Sequence, residues 1–190
     1  MFEGGFKILK ATGIVRRIDE LGRVVVPKEI RRILKIREGD PIEIFTDREG
    51  GVVLKKYSPI RELNNFASEY SDSLQKTIGN IILICDRDNI ISVSGTAKNE
   101  YLDKKVSAEL EKMMEGRKSL TFGEGVKKTI PLFIDEEFEG KYSAQIISPI
   151  IAEGDVVGTV IITSTEDGKK FCEMELKLAD TAASFLGKQI

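Results

Sequence analysis

Residues 12–37 read TGIVRRIDELGRVVVPKEIRRILKIR and hold six of the ten arginines in this 190-residue chain. TGIVRRI and RVVV are typical of short strands separated by a turn at DELG. A helix is predicted from Pro27, because the first helical turn does not need the N–H that proline lacks. PIEIF and VVLKKY complete a β-β-α-β-β order. A unit this small buries little apolar surface, so we expect a twofold dimer.

The predicted helix PKEIRRILKI has two chemically different faces. At 100° per residue, Ile30, Ile33 and Leu34 lie together and would face a core. The opposite face holds four cations: Lys28, Arg31, Arg32 and Lys35. A face that only provides solubility normally mixes positive and negative charges, so this one indicates an anionic partner.

Charge is distributed unevenly along the chain. Residues 1–57 hold 13 Lys and Arg against 9 Asp and Glu, whereas residues 58–190 hold 16 against 22. The overall net charge of −2 therefore conceals a basic first segment and an acidic remainder. This asymmetry is expected when one domain meets a polyanion and the other does not.

Residues 58–79 are predicted to form a helix, with Ser58 as its N-cap and Pro59 in its first turn. Its apolar residues recur every three or four positions: Leu63, Ala67, Tyr70, Leu74 and Ile78. This narrow row suits a linker helix that either packs on the following domain or pairs with its copy in another subunit.

From residue 80 onward the pattern is α+β. NIILICD, IISVSG, KKTIPLFI, YSAQIISPIIA and VVGTVIITS read as five strands, with hairpin turns near Asp88 and Gly154. NEYLDKKVSAELEKMMEGRKS reads as a helix, and we expect an antiparallel sheet with helices on one side. The final helix has an apolar surface wide enough for the sheet and a partner helix, in two rows: Cys172, Leu176, Ala179, Ala183, Leu186 and Ile190, then Met174, Leu178 and Phe185.

Composition excludes several classes of function. The chain has no histidine, which removes the commonest general base and zinc ligand. Cys85 and Cys172 lack CxxC spacing and lie in apolar surroundings, so we expect two core thiols, no metal and no cofactor. No apolar run approaches the ~20 residues of a membrane span, and the first residues do not resemble a signal peptide. We therefore expect a cytoplasmic protein that is not an enzyme and binds no membrane.

KATGIVRRIDELGRVVVPKEIRRILKIREGDPIEIF, followed by VVLKKYSPI, resembles the AbrB-like swapped-hairpin transcription factors. The resemblance implies that two chains interleave their hairpins into one barrel-like homodimer that binds double-stranded DNA. It also implies six DNA contacts, the last two accessory: Arg16, Arg23, Arg31, Arg32, Lys10 and Arg17. Guanidinium groups suit this role because they bind phosphate and guanine in a planar, bidentate manner.

The rest of the chain, with LICDRD and VSG, resembles the GAF domain, a ligand-sensing α+β fold. The full-length order is similar to that of regulators of forespore genes in endospore-forming bacteria, which implies a nucleoid-associated protein of the forespore. We therefore expect an AbrB-like domain at 1–57, a linker helix at 58–79 and a GAF-like domain at 80–190 that joins two dimers into a homotetramer. Related chains begin with Met near Lys10, so we expect 1–9 to be a dispensable, disordered extension.

Three alternatives stay open. One is an antitoxin of the swapped-hairpin family, although the regularly patterned C-terminal region does not read as the disordered tail of such proteins. Another is a redox enzyme that uses Cys85 or Cys172. The third, compatible with DNA binding, is a sensor whose small-molecule effector favours one arrangement of the DNA-binding domains. The operator, the target genes and the choice between activation and repression are not specified by these patterns.

Overall fold

A computed structural model of the protein describes residues 12–123, 125 and 127–190. The chain divides into two compact units between Tyr57 and Ser58. The expected extension at 1–9 and the expected DNA contact of Lys10 lie outside the described residues.

In residues 12–57, the described part of the first unit, one short helix is followed by a hairpin. Helix α1 spans Lys28–Ile33, and strands β1 (Ile42–Thr46) and β2 (Val52–Lys56) pair antiparallel. The helix is shorter than PKEIRRILKI because Lys35 has φ +52°, in the left-handed region that ends a right-handed helix. The hairpin turn closes through the Asp47 side chain, which accepts the N–H groups of Glu49 and Gly51 at 2.9 and 2.6 Å.

The prediction of strands in TGIVRRI and RVVV differs from the structure. Residues 12–26 contain the predicted turn, closed by the Gly22 N–H to the Asp19 carbonyl at 2.9 Å, but no strand. A strand is defined by pairing, and none of the described strands pairs with these segments. Seven apolar residues of the first unit, here called the exposed apolar set, are at least two thirds exposed: Val15, Ile18, Leu21, Val25, Ile33, Ile44 and Val52.

The second unit is built from ten elements around one sheet. Its helices are α2 (Pro59–Glu62), α3 (Asn64–Ile78), α4 (Lys98–Tyr101), α5 (Ala108–Glu115) and α6 (Glu173–Gly187). Its strands are β3 (Ile81–Asp86), β4 (Ile90–Ser94), β5 (Leu120–Gly123), β6 (Ala144–Ala152) and β7 (Asp155–Ser164). All neighbours pair antiparallel in the order β4-β3-β7-β6-β5, with the predicted hairpins β3–β4 and β6–β7.

Helices cover both faces of this sheet, so the expectation of helices on one side is wrong. Successive residues of β3 point to opposite faces: Ile82 and Ile84 join one apolar cluster with α3 and α6, whereas Leu83 and Cys85 join another with α4 and α5. Strands apolar on both faces need cover on both faces, which is why IILIC and VIIT read as continuous apolar runs.

Two predicted elements of the second unit are absent from the described residues. The expected long helix is two short ones, because Asp103 has φ +61° and the intervening residues form a bridge between Lys105 and Asn89. KKTIPLFI is not a strand; the backbone of Ile130 instead bonds the side chain of Gln145 in both directions, at 2.9 and 2.8 Å. The fifth strand is β5, which pairs with β6.

Helix α3 packs on the sheet of the second unit beside α6. Ala67 and Leu74 are buried there, and the buried Ser71 hydroxyl lies 2.7 and 3.0 Å from those of Ser92 and Ser94 on β4. Of the two arrangements expected for the linker helix, the structure therefore shows packing on the following domain. These hydroxyl contacts fix the helix against one edge of the sheet.

Candidate nucleic-acid interface

The first unit presents the sequence-predicted arginines in two places. Arg31 and Arg32 are neighbours on α1, with Arg32 exposed and Arg31 partly buried. Arg16, Arg17 and Arg23 are exposed in the segment before the helix. The structure places all five on the first unit, and the helical positions of Arg31 and Arg32 are those that the sequence predicts.

Arg31 differs from its neighbour in its hydrogen bonding. Its Nε atom is buried and has no hydrogen-bond partner among the described residues. A buried guanidinium N–H without an acceptor is costly, so the single chain leaves this donor uncompensated. Arg31 is therefore the arginine of α1 that has a buried donor without an acceptor among the described residues.

Arg23 is held by the turn that precedes it. Its Nε donates to Asp19 Oδ2 at 2.7 Å, and its backbone N–H donates to Asp19 Oδ1 at 2.8 Å. Both side chains stay open to solvent, at 70% and 41% exposure. Sequence reasoning named Arg23 but missed Asp19; the signal was the four-residue spacing across a glycine turn in DELGR.

A buried carboxylate organises a second polar cluster, in the second unit. The Glu136 side chain is fully buried, and one oxygen accepts the Leu132 N–H at 2.6 Å. The other oxygen accepts Lys141 Nζ at 3.0 Å and the Tyr142 hydroxyl. The Tyr142 and Tyr101 hydroxyl oxygens lie 3.2 Å apart. The carboxylate therefore has donors on both oxygens, as a buried charge requires.

The Lys141 ammonium is surrounded by aromatic rings. It lies 4.5 Å from the ring centre of Tyr101, 5.3 Å from that of Phe133 and 5.4 Å from that of Tyr142. It also donates to Glu100 at 2.8 Å. Aromatic faces and carboxylates both attract cations, so this cage is filled by the chain's own lysine.

The second unit should lose stability above about pH 10, the ordinary pKa range of lysine and tyrosine. Desolvation alone would lower the pKa of Lys141, but hydrogen bonds with Glu100, Tyr101 and Glu136 outweigh it and raise that pKa. Burial and then the Glu136 hydrogen bond raise the pKa of Tyr142. Groups with raised folded-state pKa values stabilise the fold below their unfolded pKa and lose that contribution as pH rises through the folded pKa.

Chemical denaturation from pH 7 to 11 tests this expectation on the parent and the Glu136→Gln variant. Glutamine keeps an acceptor for the Leu132 N–H but removes the charge that favours protonated Lys141 and Tyr142. The variant should therefore be less stable at pH 7 and lose less stability between pH 9 and 11. Equal losses in both proteins would contradict the role assigned to Glu136.

The two cysteines have different environments. Cys85 is buried in β3, and burial, with a contribution from the Asp86 charge, raises the pKa of its thiol well above the ordinary value. Cys172 is exposed at the start of α6, where its thiol lies 2.9 Å from Glu175 Oε2. The expectation of a core thiol is therefore wrong for Cys172, which caps a helix. Among the described helices, none is both long and apolar enough to cross a bilayer.

Two family matches together cover most of the chain. Residues 62–190 match the family described as "Stage V sporulation protein T C-terminal, transcription factor". Residues 15–62 match the family described as "Antidote-toxin recognition MazE, bacterial antitoxin".

The relatives agree with this division. The chain is 50% identical over 182 residues to stage V sporulation protein T of Bacillus subtilis (strain 168), covering 96% of this chain and 99% of the relative. It is 45% identical over 75 residues to the transition state regulatory protein AbrB of the same strain, covering 40% of this chain and 77% of the relative. A GAF domain from an Acinetobacter phosphoenolpyruvate-protein phosphotransferase aligns with TM-score 0.53 at 11% identity, covering 68% of this chain and 86% of that domain. At that identity the likeness shows a GAF-type fold alone.

Proposed function

Because this chain belongs to the stage V sporulation protein T family, we propose that it binds duplex DNA through arginines of its first unit and regulates forespore genes. The protein is a DNA-binding transcriptional regulator of sporulation, with an AbrB-like N-terminal domain and a GAF-like C-terminal domain. The observation that carries the proposal is the 50% identity over 96% of the chain, together with the five arginines predicted to contact DNA, each exposed or partly buried on the first unit.

Genome-wide mapping of bound DNA during sporulation tests the function. The parent protein should be recovered at discrete promoters in the forespore, and a variant lacking Arg31 and Arg32 should lose this enrichment. Absence of enrichment for the parent would contradict nucleoid association. Because the arginines proposed to contact DNA lie both in a loop and on a helix, we expect the DNA sites to be degenerate in sequence and recognised partly by shape.

Dimerisation through the first unit is part of the proposal. The exposed apolar set is more apolar surface than so small a unit leaves in water, and it includes Ile33 on α1 and Ile44 on β1. A second copy with interleaved hairpins would cover this surface and supply strand partners for residues 12–26. The resulting twofold symmetry would present each arginine twice.

Tetramer formation through the second unit is the next part. Phe66 on α3 and Tyr70 stack on Phe185 of α6, with ring centres 5.6 and 5.3 Å apart, and Phe66 remains 41% exposed. Met174 on α6 is 59% exposed. These side chains support pairing of α3 and α6 between two dimers.

The Phe66→Glu variant should be dimeric where the parent is tetrameric, because pairing would bury an unpaired charge. Light scattering at micromolar concentration measures the molar mass of each. Ala108→Glu is the matched control, since it adds the same charge at an exposed position of α5, on the other face of the sheet. A parent that is dimeric under these conditions would contradict the tetramer.

The proposal also includes a small-molecule effector of DNA binding. Such a molecule would regulate DNA binding by favouring one arrangement of the DNA-binding domains, which requires different affinities for the two arrangements. The GAF-type fold supports a sensing role, and no ligand follows from the fold name. To detect an effector, DNA affinity is measured at one fixed salt concentration with and without a cell metabolite extract. A change in affinity on adding the extract would indicate an effector.

A toxin-neutralising function is a second candidate, favoured by the match of residues 15–62 to the MazE family. The region after residue 62 is a folded domain, whereas swapped-hairpin antitoxins neutralise toxins with segments that order on binding. A toxin gene beside this one would support it. A redox function of Cys85 is disfavoured by its burial in β3 and by the raised pKa of its thiol, which keeps that thiol protonated.

A further inference from the structure

Asp19 and Arg23 are joined by several hydrogen bonds across a turn in the first unit. Asp19 Oδ1 accepts the N–H groups of Leu21 and Arg23, at 3.0 and 2.8 Å, and Oδ2 accepts the Arg23 Nε–H at 2.7 Å. The backbone closes the same loop, with the Asp19 N–H bonded to the Arg23 carbonyl at 3.1 Å. Gly22 has φ +75°, which a glycine adopts without strain. All these contacts are made within five consecutive residues, so they do not depend on a partner chain.

The geometry of this pair leaves most of the guanidinium available. A guanidinium carries five N–H donors in one plane, and Asp19 engages only the donor on Nε. The Arg23 side chain is 70% exposed, so its remaining donors can reach an external acceptor. Fixing Nε reduces the number of side-chain conformations that must be lost when DNA binds.

We propose that Asp19 is a positioning residue for DNA: its carboxylate holds the Arg23 guanidinium so that the outer N–H edge meets a phosphate or a guanine. This inference rests on the proposed DNA-binding function. For removal of the Asp19 carboxylate, it predicts a change in DNA affinity opposite in direction to the change that simple electrostatics predicts. A carboxylate near DNA repels phosphates, so removing it would ordinarily tighten binding; removing Asp19 should weaken it.

The Asp19→Asn variant separates the two effects. Asparagine keeps an oxygen for the Leu21 and Arg23 N–H groups, so the turn is retained, while the charged acceptor of the Arg23 Nε–H is lost. We expect DNA affinity to fall about 3- to 10-fold per dimer, since the dimer carries two copies of an exposed pair. Glu20→Gln is the matched control: it removes the same charge from the adjacent exposed residue and should leave affinity unchanged or slightly higher.

A double-mutant cycle ties the effect to Arg23. Affinity for a duplex recovered by the genome-wide mapping is measured for the parent, Asp19→Asn, Arg23→Ala and the double variant. The double variant should bind as Arg23→Ala alone does. Additive losses, or tighter binding by Asp19→Asn, would overturn the positioning role. If Arg23→Ala binds as the parent does, the DNA contact of Arg23 fails instead, so the two failures are distinguishable.

Nuclear magnetic resonance of the full chain without DNA gives an independent readout. The Arg23 Nε–H should exchange with water more slowly in the parent and Glu20→Gln than in Asp19→Asn. The backbone N–H groups of Leu21 and Arg23 should remain protected in all three. If these two backbone N–H groups lose protection in Asp19→Asn, the turn itself has opened. Asp19 would then have a purely structural role.

Discussion

The Arg31→Ala/Arg32→Ala double variant should lose at least about 10³-fold in affinity for DNA, because each arginine contact is worth roughly 1–3 kcal/mol and a dimer loses four guanidinium groups. Arg32 is exposed on α1, and Arg31 is partly buried beside it. Neither contributes to a buried core in this chain, so the variant should fold and assemble as the parent does. This combination of intact assembly and lost binding is the expected result.

Salt titration distinguishes a direct phosphate contact from a general change in charge. On duplex DNA each neutralised phosphate contributes about 0.9 to the slope of log affinity against log salt, so the slope should fall by roughly 2 to 4 in the variant. Lys127→Ala/Lys128→Ala is the matched control, because it removes two exposed cations from the second unit. Unchanged affinity and slope in the arginine variant would refute the interface, and an equal loss in the lysine control would refute its location.

The second large effect is expected from Gly158→Ala, which should destabilise the second unit by about 3 kcal/mol or more. Gly158 lies on β7 between β3 and β6, opposite Asp86 on one side and Ile150 on the other. A Cβ there would overlap the carbonyl oxygen of Cys85 on β3, which is backbone and cannot rotate away. The strands would have to separate at the centre of the sheet.

Chemical denaturation of the full chain, followed by hydrogen exchange, measures this loss and its location. Protection should fall in β3 and β7 and remain unchanged in β1 and β2, because β1 and β2 belong to the first compact unit and Gly158 to the second. Gly116→Ala is the matched control: Gly116 has ordinary helical φ −66°, and its added Cβ would meet the Met113 carbonyl oxygen at 3.2 Å. It should change stability by less than about 1 kcal/mol. Equal effects in the two variants would contradict the close approach of β3 and β7.

Elements held by local signals were predictable from the sequence. The β3–β4 and β6–β7 hairpins follow from turn residues between β-branched runs, and α3 and α6 follow from apolar spacing. The break between α4 and α5 was missed because it depends on a left-handed Asp103 and a bridge to Asn89, which no periodicity encodes. β5 was missed because four residues carry little pattern, and their pairing with β6 is a long-range choice.

The candidate site divides in the same way. Helical spacing alone predicts that Arg31 and Arg32 lie on the free face of the helix. Arg32 is exposed as expected, whereas Arg31 is partly buried. Arg16 and Arg23 came from the family resemblance, since a segment without its own strand partner gives no geometry. The Glu136 network could not be predicted, because it joins Tyr101 and Tyr142 across residues far apart in sequence.

Dimerisation through the exposed apolar set would also make the regulator sensitive to gene dosage. If only the dimer binds a promoter, its concentration at low abundance is proportional to the square of the concentration of free monomer. Halving synthesis then removes more than half of the active form. Accumulation late in development would consequently switch promoters over a narrower range of expression than a monomeric repressor or activator could achieve.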